Sequence, residues 1–199
     1  MDCRPFFFKK FGMFHHRSTM RVGTDAVLFA QWVDVASSDN ALDIGTGSGI
    51  IPLILAQKGV GSVDAVELDS DSYEEANLNF NISVYSEKLS VVQNDVRDYA
   101  ANNEKKYDLI VSNPPFYASD VKPIKEKKVM ARHVSTLSFK DLLVAAKKMM
   151  KESWFEKALF TWGWYTGTMA MGIALLRVVD PKMQSRCLDS YALAYLFIA

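Results

Sequence analysis

Apolar positions along this chain fall into short runs separated by longer helical stretches. Ala41-Leu42-Asp43-Ile44, Val63 to Val66, Leu89 to Gln93 and Leu109 to Ser112 are each bounded by polar or turn residues, as buried strands are. Between them the pattern predicts helices over Ile50 to about Lys58 and Ser70 to about Asn81, with Pro52 tolerated in a first turn. A helix from Asp25 to about Ala36 precedes the first strand, with Thr24 as its N-cap and an imperfect apolar stripe of Val27, Leu28, Ala30, Gln31 and Val35. Ser138 opens a last helix through Lys151. This alternation implies an α/β fold with a mostly parallel sheet and helices on both faces. Ligands in such sheets sit at the carboxyl ends of the strands, near the point where strand order reverses.

The predicted strand ends are where the chemistry collects. The first ends in Asp43 and Gly45-Thr46-Gly47-Ser48-Gly49, the second in Glu67, the third in Asp95, the fourth in Asn113-Pro114-Pro115-Phe116. The two prolines supply no backbone donors, and a residue before proline is held extended. Asn113 and its neighbouring carbonyls are thereby presented as fixed acceptors, with the Phe116 ring just beyond. Such a tip can grip a planar group bearing an exocyclic amine.

Charge adds a partner class. The formal net charge is zero, yet residues 25–116 carry fifteen acids against five Lys/Arg. Residues 1–24 have five Lys/Arg against one acid, and residues 117–133 five against two. Basic segments thus flank an acidic middle near the Asn113 tip, where a polyanion would find cations. The 199 residues, 49% hydrophobic, suffice for one globular domain. Cys3 and Cys187 form neither a disulfide framework nor a metal-ligand spacing, and Phe6 to Phe8 run at once into Lys9 and Lys10. These features predict a cytoplasmic protein without a metal. His15 and His16 are expected to be exposed loop residues.

Glycine spacing narrows the ligand. The loop lets backbone approach a ligand at a helix N-terminus, and Glu67, about twenty residues on, can accept from both ribose hydroxyls. A dinucleotide fingerprint requires a glycine three positions after the second; Ile50 stands there instead. Asp43 would repel a pyrophosphate but suit an ammonium or sulfonium. A cationic, phosphate-free adenosine fits, which points to S-adenosylmethionine.

Asp43 to Gly49, Val66-Glu67-Leu68-Asp69, Asn94-Asp95-Val96 and Asn113 to Phe116 resemble the successive motifs of a class I S-adenosylmethionine-dependent amino-methyltransferase. With Val22-Gly23-Thr24-Asp25-Ala26-Val27-Leu28, Ala131-Arg132-His133 and Leu137-Ser138-Phe139, the chain is similar to the bacterial family that methylates N6 of the anticodon-loop adenosine of valine tRNA. The resemblance covers roughly residues 6–152 and implies a Rossmann-like class I methyltransferase fold. It also implies site roles: Gly45, Gly47 and Gly49 under the cofactor, Asp43 near its methionyl end, Glu67 on its ribose and Asp95 on its adenine. Asp25 would approach the cofactor ammonium or act as a helix cap. Asn113 and Pro114 would accept from the substrate amine and Phe116 would stack on the base. Lys125, Lys127, Lys128, Arg132 and His133 would contact RNA. Transfer to a protein glutamine or to DNA adenine, and a catalytically dead RNA-binding relative, remain open on these motifs.

The resemblance divides the chain into a basic N-terminal segment (1–24), a methyltransferase domain (25–152) and a tail (153–199). The family pattern would continue with a glycine turn, a fifth strand and an antiparallel pair, none of which the tail provides. It holds three of the four tryptophans, and Ala158 to Leu176 contains no charge. That run nears the length of a minimal membrane span, but its glycines, threonines and paired aromatics argue against one. The expectation is an aberrant, frameshifted tail, no membrane association and no obligate protein partner.

Overall fold

The computed structural model describes residues 4–35, 38–113 and 139–150. A hairpin of β1 (Phe6–Phe7) and β2 (Gly12–Met13) leads into α1 (Thr24–Trp32). There follow β3 (Asn40–Ile44), α2 (Ile50–Lys58), β4 (Ser62–Glu67), α3 (Ser70–Ile82), a 3₁₀ turn at Ser86–Lys88, β5 (Leu89–Gln93), α4 (Val96–Asn102), β6 (Leu109–Ser112) and α5 (Phe139–Met149). The four longer strands form one parallel sheet in the order β5-β4-β3-β6. Strand order reverses between β3 and β6, and that crevice is where such sheets bind ligands.

Side-chain alternation along β3 and β4 divides the core in two. Ala41, Val63, Ala65 and Val111 pack with α1, α2 and Phe80 on one face, together with Phe11 and Met13 from the N-terminal segment. Leu42, Ile44 and Val66 pack with Val96, Ala100, Tyr107, Ala145 and Met149 on the other. The helices therefore cover both faces. Helix α2 is apolar around its whole circumference because it is buried from Ile50 to Ala56. It starts and stops at glycines in left-handed conformation, Gly49 (φ +86°) and Gly59 (φ +109°); at the C-terminal end this is the usual way to close a helix. Met150 makes a parallel bridge to Tyr107, just ahead of β6.

The predicted bounds of α2, β5 and β6 agree with the structure, and those of β3, β4 and α3 lie within a residue. Helix α1 departs from expectation at both ends. Gly23, not Thr24, is the N-cap, and Thr24 already lies in the helix. The helix ends at Trp32 because the Lys58 ammonium, arriving from α2, donates to the carbonyls of Ala30, Gln31 and Val33. A cation at a helix C-terminus completes the carbonyls that another turn would have used. Helix α4 and the β1-β2 hairpin were not predicted: each is too short for a hydrophobic period to show. Among the described residues no helix is long and apolar enough to cross a membrane. The tail, residues 153–199, lies outside the described residues.

Candidate active site

The carboxyl end of β3 delivers Asp43 directly beneath the glycine loop. Its side chain is fully buried, and neither carboxylate oxygen has a hydrogen-bond partner among the described residues. Burial pushes its carboxyl up to about 7. The Thr46 hydroxyl draws it part way back without reaching hydrogen-bond geometry, and the Glu67 carboxylate raises it further. A buried carboxylate without a partner is costly.

The loop above is built for close approach. Gly45 and Gly47 have φ of +73° and +58°, which side chains rarely adopt. A Cβ on Gly45 would meet none of the described residues within 4 Å, so that face of the turn is open among them. A Cβ on Gly49 would lie 2.6 Å from the Phe80 ring, so this glycine is needed for packing α2 against α3. Gly45 N–H donates to the Val66 carbonyl at 2.8 Å, tying the loop to the end of β4.

Glu67 closes the second side. Its Oε2 accepts from Gly47 N–H at 2.8 Å and its Oε1 from the N–H groups of Leu68 and Asp69 at 2.9 and 3.0 Å. Burial pushes its carboxyl up, and these three donors hold it back. A carboxylate has about four lone-pair sites, so one remains for a ligand hydroxyl. Asp95 stands next along the rim, since Asn94 N–H donates to the Glu67 carbonyl at 3.0 Å. Asp95 is the N-cap of α4, accepting from Arg97 N–H at 2.8 Å, and it pairs with the Arg97 guanidinium. That pairing holds its carboxyl below the usual range. An adenine amine arriving there would share the carboxylate with Arg97.

Across the switch point, Ser112 Oγ donates to the Ile44 carbonyl at 2.8 Å, locking the tip of β6 to the start of the glycine loop. Asn113 follows, half-buried, with its Nδ2 donating to Asp25 Oδ2 at 3.1 Å. The structure thus brings Asp43, Gly45, Gly47, Gly49, Glu67 and Asp95 to one rim and Asn113 to its neighbour, with Asp25 on Asn113. Pro114, Phe116, Lys125, Lys127, Lys128, Arg132 and His133 lie outside the described residues.

One structural element of the site escapes sequence reasoning. Residues 14–19 cross α3 as a strap. Buried Glu75 accepts from the N–H groups of His16 and Arg17 through Oε1, at 2.6 and 2.9 Å, and of Ser18 through Oε2, at 2.8 Å. Asn79 exchanges two hydrogen bonds with the Phe14 backbone and donates to the Ser48 carbonyl. Ser18 Oγ comes within 3.5 Å of where a Cβ on Gly47 would be, so the strap walls the loop. The available signal was Ser72, Glu75 and Asn79 sharing one helical stripe with Ala76 and Phe80, polar residues at core positions. His15 is not an exposed loop residue: it is half-buried and its Nδ1 accepts from Val22 N–H.

The fold is that of the S-adenosylmethionine-dependent methyltransferases. The solved structure of the SAM-dependent methyltransferase from Agrobacterium tumefaciens aligns with a TM-score of 0.55 at 15% identity, over 74% of this chain and 49% of that one. The chain belongs to the methyltransferase small domain family, whose model matches residues 6–158. It is 40% identical over 149 residues to the tRNA1(Val) (adenine(37)-N6)-methyltransferase of Parabacteroides distasonis, covering 74% of this chain and 63% of that protein. It is 42% identical over 156 residues to the enzyme of the same name from Trichodesmium erythraeum, covering 77% and 65%. The chain therefore matches a little under two thirds of the length of these relatives.

Proposed function

We propose that this chain transfers the methyl group of S-adenosylmethionine to the N6 amine of an adenosine in the anticodon region of valine tRNA, in the cytoplasm and without an obligate protein partner. The observation that carries the reading is the buried, unpartnered Asp43 carboxylate under an open glycine turn, one strand away from the Asn113 tip. The relatives' name, at about 40% identity, supports this choice of acceptor.

S-adenosylmethionine supplies an electrophilic methyl group on a sulfonium. The chain's residues do the rest. Ionised Asp43 and the glycine turn would hold the cationic end, Glu67 would take a ribose hydroxyl on its remaining lone pair, and Asp95 would accept from the adenine amine. Asn113 Oδ1 and the Pro114 carbonyl accept the two N–H groups of the substrate amine, which aims its lone pair, while Phe116 covers the base. The acceleration is chiefly positional. No strongly basic side chain is required, since the proton can leave after transfer. Lys125, Lys127, Lys128, Arg132 and His133 engage tRNA phosphates and bases.

The test is methyl transfer from labelled S-adenosylmethionine to unmodified valine tRNA, beside a glutamine-bearing protein and adenine-containing DNA. Label in the tRNA adenosine is expected. Label only in protein or DNA would reassign the acceptor, and none in any would leave an RNA-binding relative.

A further inference from the structure

Val22-Gly23-Thr24-Asp25 stands at the start of α1, far from the acceptor strand in sequence, yet Asp25 touches its tip. An amide side chain such as that of Asn113 has two faces of opposite chemistry, an oxygen that accepts and an NH₂ that donates. A substrate amine needs the oxygen. A carboxylate only accepts, so the side of Asn113 facing Asp25 must be its Nδ2. That contact turns Oδ1 away from Asp25.

A second observation concerns Gly23. Its φ is −103°, open to any residue, so its backbone does not require glycine. Space does. A Cβ on Gly23 would stand 2.2 Å from Asp25 Oδ1 and 3.3 Å from its Cγ. The Asp25 carboxylate folds back over a position that only glycine leaves free, and its other oxygen receives Asn113. Gly23 thus leaves room for this rotamer of Asp25, and the Asn113 amide holds it.

We infer that Asp25 is a positioning residue for the acceptor half of the site, fixing the orientation of the Asn113 amide, and that Gly23 is glycine to admit the carboxylate. This rests on the reading of Asn113 as the acceptor of the substrate amine. It moves Asp25 away from the cofactor ammonium. Its place in the first turn of α1 also suits the helix dipole, and the experiment separates these roles.

Turnover on unmodified valine tRNA and calorimetric affinity for S-adenosylmethionine are measured for Asp25→Ala, Asp25→Asn, Gly23→Ala and Asn113→Ala. Asp25→Ala is expected to lose about 10- to 100-fold in turnover at saturating cofactor, the cost of a misaimed group, with cofactor affinity within about twofold. Asp25→Asn should recover most of that loss, because its amide oxygen still accepts from Asn113. Gly23→Ala should reproduce Asp25→Ala, and Asp25→Ala should add nothing in an Asn113→Ala background. Weakened cofactor affinity in both Asp25 variants, with turnover kept at saturation, would overturn the inference in favour of the ammonium role. Equal turnover loss in both with a matching fall in melting temperature would overturn it in favour of the helix dipole. If the parent methylates no tRNA, the proposed function fails while the contact is still read. The Asn113 side-chain amide resonances should then shift in Asp25→Ala and Gly23→Ala, and unchanged resonances would overturn the inference by themselves.

Discussion

On the β4 side of the switch point, ligand-facing groups are held by many backbone donors. Glu67 takes three, Glu75 takes three more from the strap, and Asn79 ties the strap to the Ser48 carbonyl. On the β6 side, the tip of the strand has two side-chain ties among the described residues, Ser112 to Ile44 and Asn113 to Asp25. The contrast matches two tasks. A cofactor half must bind the same small cation each time, and a rigid cradle loses little entropy on binding. An acceptor half needs one group aimed correctly, and a single pairing can do that. Perturbing the first half should therefore move stability and affinity, and perturbing the second should move turnover.

The largest effect is expected at Asp43. Its folded carboxyl keeps a proton up to about 7, whereas the unfolded one releases it near 3.8. Between those values the folded state binds more protons, so stability falls as pH rises through that window. Asp43→Asn removes the penalty. The unliganded variant should be more stable than the parent at pH 8 by on the order of 4 kcal/mol, the advantage shrinking at pH 5 and vanishing near pH 4. Denaturant midpoints at the three pH values check this. In the parent, S-adenosylmethionine affinity should rise with pH through 7, as the ionised carboxylate becomes available to the cation.

Glu75→Ala leaves three backbone N–H groups at the strap without their acceptor and should cost roughly 3 kcal/mol of stability. It should also weaken cofactor binding, because the strap walls the glycine loop. A variant that melts early yet binds S-adenosylmethionine at parental affinity would detach the strap from the cofactor half. Asn113→Ala is the opposite perturbation: turnover should drop about 100-fold, or roughly 2.7 kcal/mol, with melting temperature and cofactor affinity kept. Parental turnover in that variant would remove the strand tip from the chemistry. Glu67→Ala should weaken S-adenosylmethionine binding by about 1.5–3 kcal/mol, the range for hydrogen bonds to a charged group, which isothermal titration measures directly. Smallest of all is Arg17→Ala. Its 2.6 Å ion pair with Glu74 joins two side chains each more than half exposed, so thermal unfolding should change by less than about 0.5 kcal/mol. A larger loss would mean that the strap depends on its surface charges as well as on Glu75.

How much of this was legible in the chain differs element by element. Helix α2 could be read to the residue because an apolar run between two glycines has few other solutions. The strands could be read because each is a short apolar run closed by the polar group it carries to the rim. Helix α4 is hidden by its length, although Asp95, its cap, stands out in the sequence for a different role. Glu75 was hidden because an acid within a helix usually faces water. Only the arrival of the strap, 57 to 59 residues away in sequence, makes it a buried acceptor.

Sequence by itself determined the alternation of strands and helices, the glycine turn and the set of polar groups at the strand ends, since all of these are local in periodicity and backbone allowance. Tertiary structure alone decided which end of α1 meets which strand. It also decided that Asp43 has no partner among the described residues and that Asp25 faces Asn113 across 88 positions of chain. Such pairings depend on strand order and on where neighbouring elements end, and no local pattern encodes the distance between two residues that only packing brings together.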